Sequence, residues 1–273
     1  MPDRDGVVRI AATILALTLC GCIDEPGVDP LVFSDSFVAN QYQRFGDALG
    51  EIAADPSEKV SGFASLKVIV PGDGCPGADT THFCYAGGAL VATAPRDLSG
   101  YDTLTFWAKA SVEGASIAQV GFGNDNTGLS KFTAAANNVP LSTAWAKYYL
   151  PIPLPSRLTA ERGLFYFAVA NLDGVGFDLW FDAVQFEKAG PAVLGPPRPS
   201  IPSATVNRKV GSSIALRGGM VTRSVNGVDQ TMVAMPSYFT WASSDPAVAT
   251  VDEGGTGVAR AFGVTNITAS LGS

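Results

Sequence analysis

From about Val32 to Lys188 apolar and polar residues alternate in short runs. The clearest are SLKVIV (65–70), DTLTFWAKA (102–110), SIAQVGFG (116–123), AKYYLPI (146–152), GLFYFAVA (163–170) and FDLWFDAVQF (177–186). Successive side chains on a strand point to opposite faces, so each run has one face to bury and one to leave wet. PGDG, RDLSG, NDNTG and NLDG fall between the runs and supply turns. Helical spacing is sustained nowhere, and only the stretch from Asn40 to Ile52 is left open. The pattern predicts an all-β fold in which two packed sheets bury one face each.

Composition supports this and removes several functions. The chain has 273 residues, enough for two domains, with 30 Gly, 18 Pro and only 16% charged residues, as short strands and tight turns require. Net charge is −7, and Lys and Arg cluster nowhere beyond the extreme N-terminus, so a nucleic-acid groove is not expected. His82 is the one histidine, which leaves little for imidazole catalysis or a multi-histidine zinc site. Glycoside hydrolysis needs two carboxylates about 5–10 Å apart. Glu51, Glu58, Glu113, Glu161 and Glu187 are scattered, mostly beside turns, and no phosphate loop or nucleophile elbow is present. An enzyme is not expected.

Arg4 and Arg9 precede the apolar run IAATILALTL (10–19), about half the roughly 20 residues a membrane span needs. Short, N-terminal and behind positive charge, it reads as an export signal. Leu19-Cys20-Gly21-Cys22 resembles a bacterial lipobox, with Cys20 where Ala, Ser or Thr is usual. That resemblance implies a leader over 1–21, a lipidated Cys22 and a short tether over 22–30. Several acyl chains at about 0.8 kcal/mol per buried methylene would hold the protein to a membrane. Ile23 fits an outer membrane, and ordinary cleavage to a soluble product is the alternative. Cys75 and Cys84, in CPGADTTHFC, suit a disulfide in the same oxidising space, with two free thiols or a metal site with His82 as alternatives.

KVSGFASLKV, DLSGYDTLTFWAKAS, WAKYYLPI and FDLWFDAVQFE occur in that order over residues 31–188. The segment resembles bacterial jelly-roll carbohydrate-binding modules of the galactose-binding-like superfamily. AGPAVLGPPRPSIPSA (189–204) reads as a proline-stiffened linker. Residues 205–273 resemble a bacterial Ig-like domain of the second group. GSSIAL, Trp241 in TWASSDPAVATVD, GTGVARAFG and TNITA carry that likeness. It implies that Trp241 packs inside a small sandwich and that Asp245-Pro246 turns Val248 and Val251 inward. The loop 221–237 is long for such a domain, and Ser273 falls about where a last strand should begin, as in a truncated domain.

The first resemblance implies a sugar site, in which a ring stacks on a pyranose and amides or carboxylates bond its hydroxyls. Strand parity picks the outward residues: Trp107 opposite Leu104, Phe106 and Ala108, and Tyr166 opposite Phe165, Phe167 and Val169. Gln119 lies on a face of small residues, with Tyr85, Asn124 and Asp125 at its rim. Each residue also has a plain use: the rings as packing, Asn124 and Asp125 as a turn. Such modules often carry a structural calcium, and Asp35 and Asp182 hold comparable places. Calcium takes about six to eight oxygens, so carbonyls would supply the rest. The expectation is a non-catalytic envelope lipoprotein that binds polysaccharide or glycoconjugate, the Ig-like domain acting as spacer. The alternatives are a structural or adhesive protein with protein partners and, further off, a hydrolase or lyase.

Overall fold

The computed structural model describes residues 29–37, 40–80 and 82–272. The leader, Cys20 and the proposed lipid site Cys22 lie outside the described residues. In chain order the first strands are β1 (Leu31–Phe33), β2 (Asn40–Arg44), β3 (Glu51–Asp55), β4 (Ser65–Val70), β5 (Tyr85–Arg96) and β6 (Thr103–Ala110). They continue as β7 (Ser116–Phe122), β8 (Ala134–Pro140), β9 (Ala146–Pro151), β10 (Glu161–Ala170) and β11 (Phe177–Glu187). After these come β12 (Arg198–Ser200), β13 (Ser213–Ala215), β14 (Met220–Val225) and β15 (Val228–Ala234). The last are β16 (Phe239–Ser243), β17 (Ala249–Val251), β18 (Thr256–Ala259) and β19 (Ile267–Leu271). Two short 3-10 turns, Pro155–Arg157 and Pro236–Tyr238, are the only helical elements among the described residues. The all-β class is thus observed, and β2 and β3 fill the stretch the sequence left open.

Two sheets form the main sandwich. One has the order β3-β4-β11-β6-β9 with β1 also on β11; the other runs β12-β14-β15-β8-β7-β10-β5-β2. Strand parity holds on both. Leu104, Phe106 and Ala108 of β6 and Phe165, Phe167 and Val169 of β10 are buried between the sheets. The rings of Phe106, Phe165 and Phe181 lie 5.1–5.6 Å apart, in tilted and edge-on pairs. Each such ring, fully buried, contributes about 1.5–3 kcal/mol of transfer free energy.

The C-terminal third departs from the expected spacer and separate domain. The loop 221–237 is mostly hairpin: Asn226 and Gly227 take φ of 50° and 85°, the positive pair that a tight hairpin needs. Its strand β15 joins β8 through Val233↔Ala135 and Ala234↔Ala134, extending the sandwich's own sheet. Val221, Met232, Ala234, Tyr238 and Phe239 belong to the main core. Nor is the proline-rich stretch free. Its β12 pairs with β14 at the sheet's edge, where the absent N–H of Pro199 costs no ladder bond, and Leu194 is buried. Beyond the hairpin lie two small sheets, β13-β18-β17 and β16-β19. Trp241 is half-buried there, its indole N–H donating to Pro236 O (2.9 Å), and Asp245 opens the turn to Val248.

Candidate functional site

The outer face of the eight-stranded sheet collects most of the residues singled out from sequence. Across it Ala89 pairs with Tyr166, Tyr166 with Gly121 and Gly121 with Ala135. One step along, Gly87 pairs with Ala168 and Ala168 with Gln119, which faces Asn137. Five of these eight positions are Gly or Ala, so the face is low, a shallow trough, except where the Tyr166, Phe45 and Tyr85 rings lie over Gly121 and Gly87. Gln119 Nε2 donates to Asn137 Oδ1 (3.3 Å), and both residues are exposed. At the β5 and β2 side the rings of Phe45 and Tyr85 lean over Gly87, each with an atom 3.0 Å from where a Cβ there would stand. Both rings are half-buried. Tyr85 Oη donates to Asp47 Oδ1, and burial and that bond raise its pKa.

Tyr166 lies on this face but is covered. It is 3% exposed, clustered with Ala89, Val91 and Ala135 under Phe45, and burial raises its hydroxyl pKa. Phe45 packs on it, ring centroids 6.4 Å apart, and the loop after β7 runs nearby. Gly123 N–H donates to Gly163 O (2.7 Å), the Asn124 backbone stands 2.3 Å from a would-be Gly163 Cβ, and Asn126 Nδ2 reaches Arg44 O (3.5 Å). The loop thus crosses β10 and β5 to reach β2 as a strap. Asn124 and Asp125 are the residues that shape it. Asn124 Oδ1 accepts from Asn126 N (2.9 Å), and Asp125 Oδ1 accepts from the hydroxyls of Thr127 (2.6 Å) and Ser130 (2.5 Å). Burial would raise the Asp125 pKa, but these bonds outweigh it and the net shift is downward. Both side chains serve the turn.

Trp107 does not join this group. β6 belongs to the other sheet, so its outward direction is opposite to that of β10. Parity along a strand distinguishes inside from outside, not one outside from the other. Trp107 instead pairs with Asp182 and Lys147, beside a row in which Lys67 and Lys109 stand over the Trp180 ring (5.6 and 5.0 Å) and Lys109 also approaches Trp145 (5.9 Å). Each of these lysines has a carboxylate partner: Lys67–Asp178 (2.7 Å), Lys109–Glu58 (2.8 Å) and Lys147–Glu187 (2.8 Å). That face is satisfied by its own cross-strand pairs.

Asp35 and Asp182 both turn toward residues 60–64. Asp182 is fully buried; its Oδ2 accepts from the N–H of Val60 (2.7 Å) and Ser61 (3.0 Å), its Oδ1 from Ala183 (2.7 Å). Asp35 Oδ1 accepts from Phe63 and Ala64 N–H. The carboxylates face amide donors, whose positive ends disfavour a cation, and no group of three or more His, Cys, Asp or Glu forms a metal-holding cluster among the described residues. A calcium held here would need those amides turned away and carbonyl oxygens in their place. Cys75 and Cys84 are joined in a disulfide, Cα–Cα 5.8 Å, next to Tyr85 at the trough's rim.

Sequence reasoning passed over Phe45, Asn137 and Glu161. The alternation in QYQRF and AANNV could have signalled the first two. The third is described below.

No protein-family model matches the chain, and no curated protein matches it. Among solved structures it is similar to the family 30 carbohydrate-binding module of cellulosomal cellulase Cel9D-Cel44B of Clostridium thermocellum, 18% identical over 59% of this chain and 98% of that one, TM-score 0.41. It is also similar to a family 11 carbohydrate-binding module from Clostridium thermocellum in complex with a β-1,3-1,4-mixed-linked tetrasaccharide, 14% identical over 60% and 98%, TM-score 0.38. A β-1,2-glucanase from Parabacteroides distasonis is 13% identical over 90% of this chain and 34% of its own, TM-score 0.38.

Proposed function

We propose that this protein binds a polysaccharide or glycoconjugate without cleaving it, through the uncovered part of the trough on the eight-stranded sheet. The observation that carries this reading is the juxtaposition of the exposed Gln119 and Asn137 amides with a Gly/Ala floor and two half-exposed rings, Phe45 and Tyr85. Pyranose chains present flat apolar faces rimmed by hydroxyls, and amides can both donate to and accept from those hydroxyls. A floor without side chains lets the chain lie down. Anchorage at the cell envelope through a lipid on Cys22 belongs to the same proposal and rests on the lipobox sequence.

Affinity electrophoresis of the full chain against neutral glucans, galactans and xylans tests the binding. Retardation on at least one, reduced about tenfold or more in Gln119→Ala/Asn137→Ala, is expected from the loss of two hydroxyl-bonding amides at roughly 0.5–1.5 kcal/mol each. A folded protein retarded by none of them, or equally retarded after the substitutions, rules the trough out. Palmitate incorporation that survives Cys22→Ala rules out the anchor.

A further inference from the structure

Away from the trough, on the far side of the strap, a cavity of about 330 Å³ opens between residues 123–132 and 157–163. Lys131, Arg157 and Arg162 line it, together with Asp125 and Glu161. None of the three cations forms an ion pair among the described residues, whose pairs are all made elsewhere. Arg162 Nε donates to Ala92 O (3.2 Å), which fixes the stem of that side chain. Three cations outside any ion pair, set against two carboxylates, give this cavity a net positive lining in a chain of net charge −7.

The geometry points to this cavity as a binding site for a sugar that carries an oxyanion, a uronate carboxylate or a sulfate ester. Arg157, Lys131 and Arg162 would take the anionic group, since guanidinium and ammonium donors match carboxylate and sulfate oxygens. Asp125 Oδ2 and the Glu161 carboxyl would bond ring hydroxyls. Gly123 and Gly163 keep the wall free of side chains. The proposal takes its substrate class from the saccharide reading above but uses a different set of residues.

Burial, and then the nearby Asp125 carboxylate, push the Glu161 pKa up to about 7. The groups that act on Glu161 are Asp125 from the strap and Tyr238 from the 236–238 turn, and Lys131, Arg157 and Arg162 line the same cavity. Asp125 is held ionised by its hydroxyl donors, and Tyr238 is held neutral by burial. Glu161 is therefore the group of this set that changes charge between about pH 6 and about pH 8. Its ionisation adds a negative charge where the anion must sit.

The test is a titration of the full chain with methyl glucuronide, glucose 6-sulfate and neutral methyl glucoside, read from backbone amide shifts of Gly123, Lys131 and Gly163. The expected result is saturable binding of one or both anionic sugars, at least about tenfold tighter than the glucoside, weakened about tenfold or more in Lys131→Gln/Arg157→Gln and kept in Arg157→Lys. Binding of the glucuronide alone, or of the sulfate alone, identifies which oxyanion the cavity takes. Affinity is expected to fall as pH rises from about 6 to about 8, and that fall to vanish in Glu161→Gln. Equal binding of the neutral glucoside, no shift with either anion, or an unchanged affinity in the double variant with native circular dichroism would overturn the proposal; a pH-independent affinity would overturn the part given to Glu161. Failure of the trough, seen as no retention on neutral polysaccharides, leaves this titration intact, so the two readings fail separately.

Discussion

Replacing Asp182 by alanine tests how the sandwich holds the loop between β3 and β4, residues 56–64. The carboxylate sits at a β-bulge in β11, where the register shifts and Ala183 takes φ of 45°. From there it accepts backbone N–H bonds from Val60, Ser61 and Ala183 at 2.7, 3.0 and 2.7 Å. A hydrogen bond to a charged group contributes about 1.5–3 kcal/mol. The Val60 and Ser61 amides are part-buried, so water can reach them once the acceptor is gone, and the lower end applies to each. For these two loop bonds the sum is a loss of about 3 kcal/mol, a fall in Tm of roughly 6–12 °C for a chain of this size. Urea titration of wild type and Asp182→Ala measures the free energy, and amide exchange at Val60 and Ser61 should accelerate in the variant while β10 stays protected. Because the carboxylate is occupied by amide donors, EDTA should leave the wild-type Tm unchanged within about 1 °C and added calcium should not raise it. A loss under about 1 kcal/mol, or a calcium-dependent Tm in wild type that disappears in Asp182→Ala, would refute this account of the loop and restore the metal expected from sequence.

Three further outcomes follow from the geometry. Glu161 has its folded pKa raised from 4.5 to about 7, so its contribution to stability is fully present below about pH 4.5 and is lost as pH rises toward 7 and beyond. Thermal scans across this window should show wild type losing stability relative to Glu161→Gln, and parallel curves would contradict the shift. Gly163→Ala puts a methyl 2.3 Å from the Asn124 carbonyl carbon and should cost about 1–3 kcal/mol by lifting the strap, read as lower Tm with brighter, more accessible Tyr166 fluorescence. Cys75→Ser/Cys84→Ser opens a loop of sequence separation 9 and should cost about 2–3 kcal/mol in urea denaturation, with no effect under conditions that already reduce the wild type.

Much of the sandwich was legible because its code is local. TLTFWAK and LFYFAV each state which residues go inside, and Leu104, Phe106, Phe165 and Phe167 are buried as their alternation requires. What alternation cannot state is the identity of the sheet. Trp107 and Tyr166 are both outward, yet they stand on opposite outer faces, because sheet membership is set by pairing between strands far apart in sequence. The hairpin at Asn226-Gly227 carried a local signal, and a turn pair between two alternating runs is enough to expect it. Its attachment to β8 carried none, since that depends on an edge made by residues 134–140 being free to accept it. Glu161 was passed over for the same reason. Isolated in sequence, it looks like a turn-side carboxylate; its raised pKa arises from burial and from Asp125, brought near only by the strap. Asn124 and Asp125 are expected from sequence at the rim of the sugar site, with a turn as their plain alternative; in the structure their side chains bond within the turn, which lies across the sheet.

The join between β8 and β15 consists of two register pairs, whereas β5 and β10 share eight. Seen mechanically, this is a seam between a tail and a body of very different toughness. Tension applied between the sandwich and the C-terminal strands would load those few rungs together with the buried Met232, Ala234, Tyr238 and Phe239, before the eight-rung β5–β10 pairing. The tail would then lengthen while β7, β10 and β5 keep their pairing, acting as a mechanical fuse. A force-extension trace of the full chain should record it as a short, low-force first step preceding the main unfolding event.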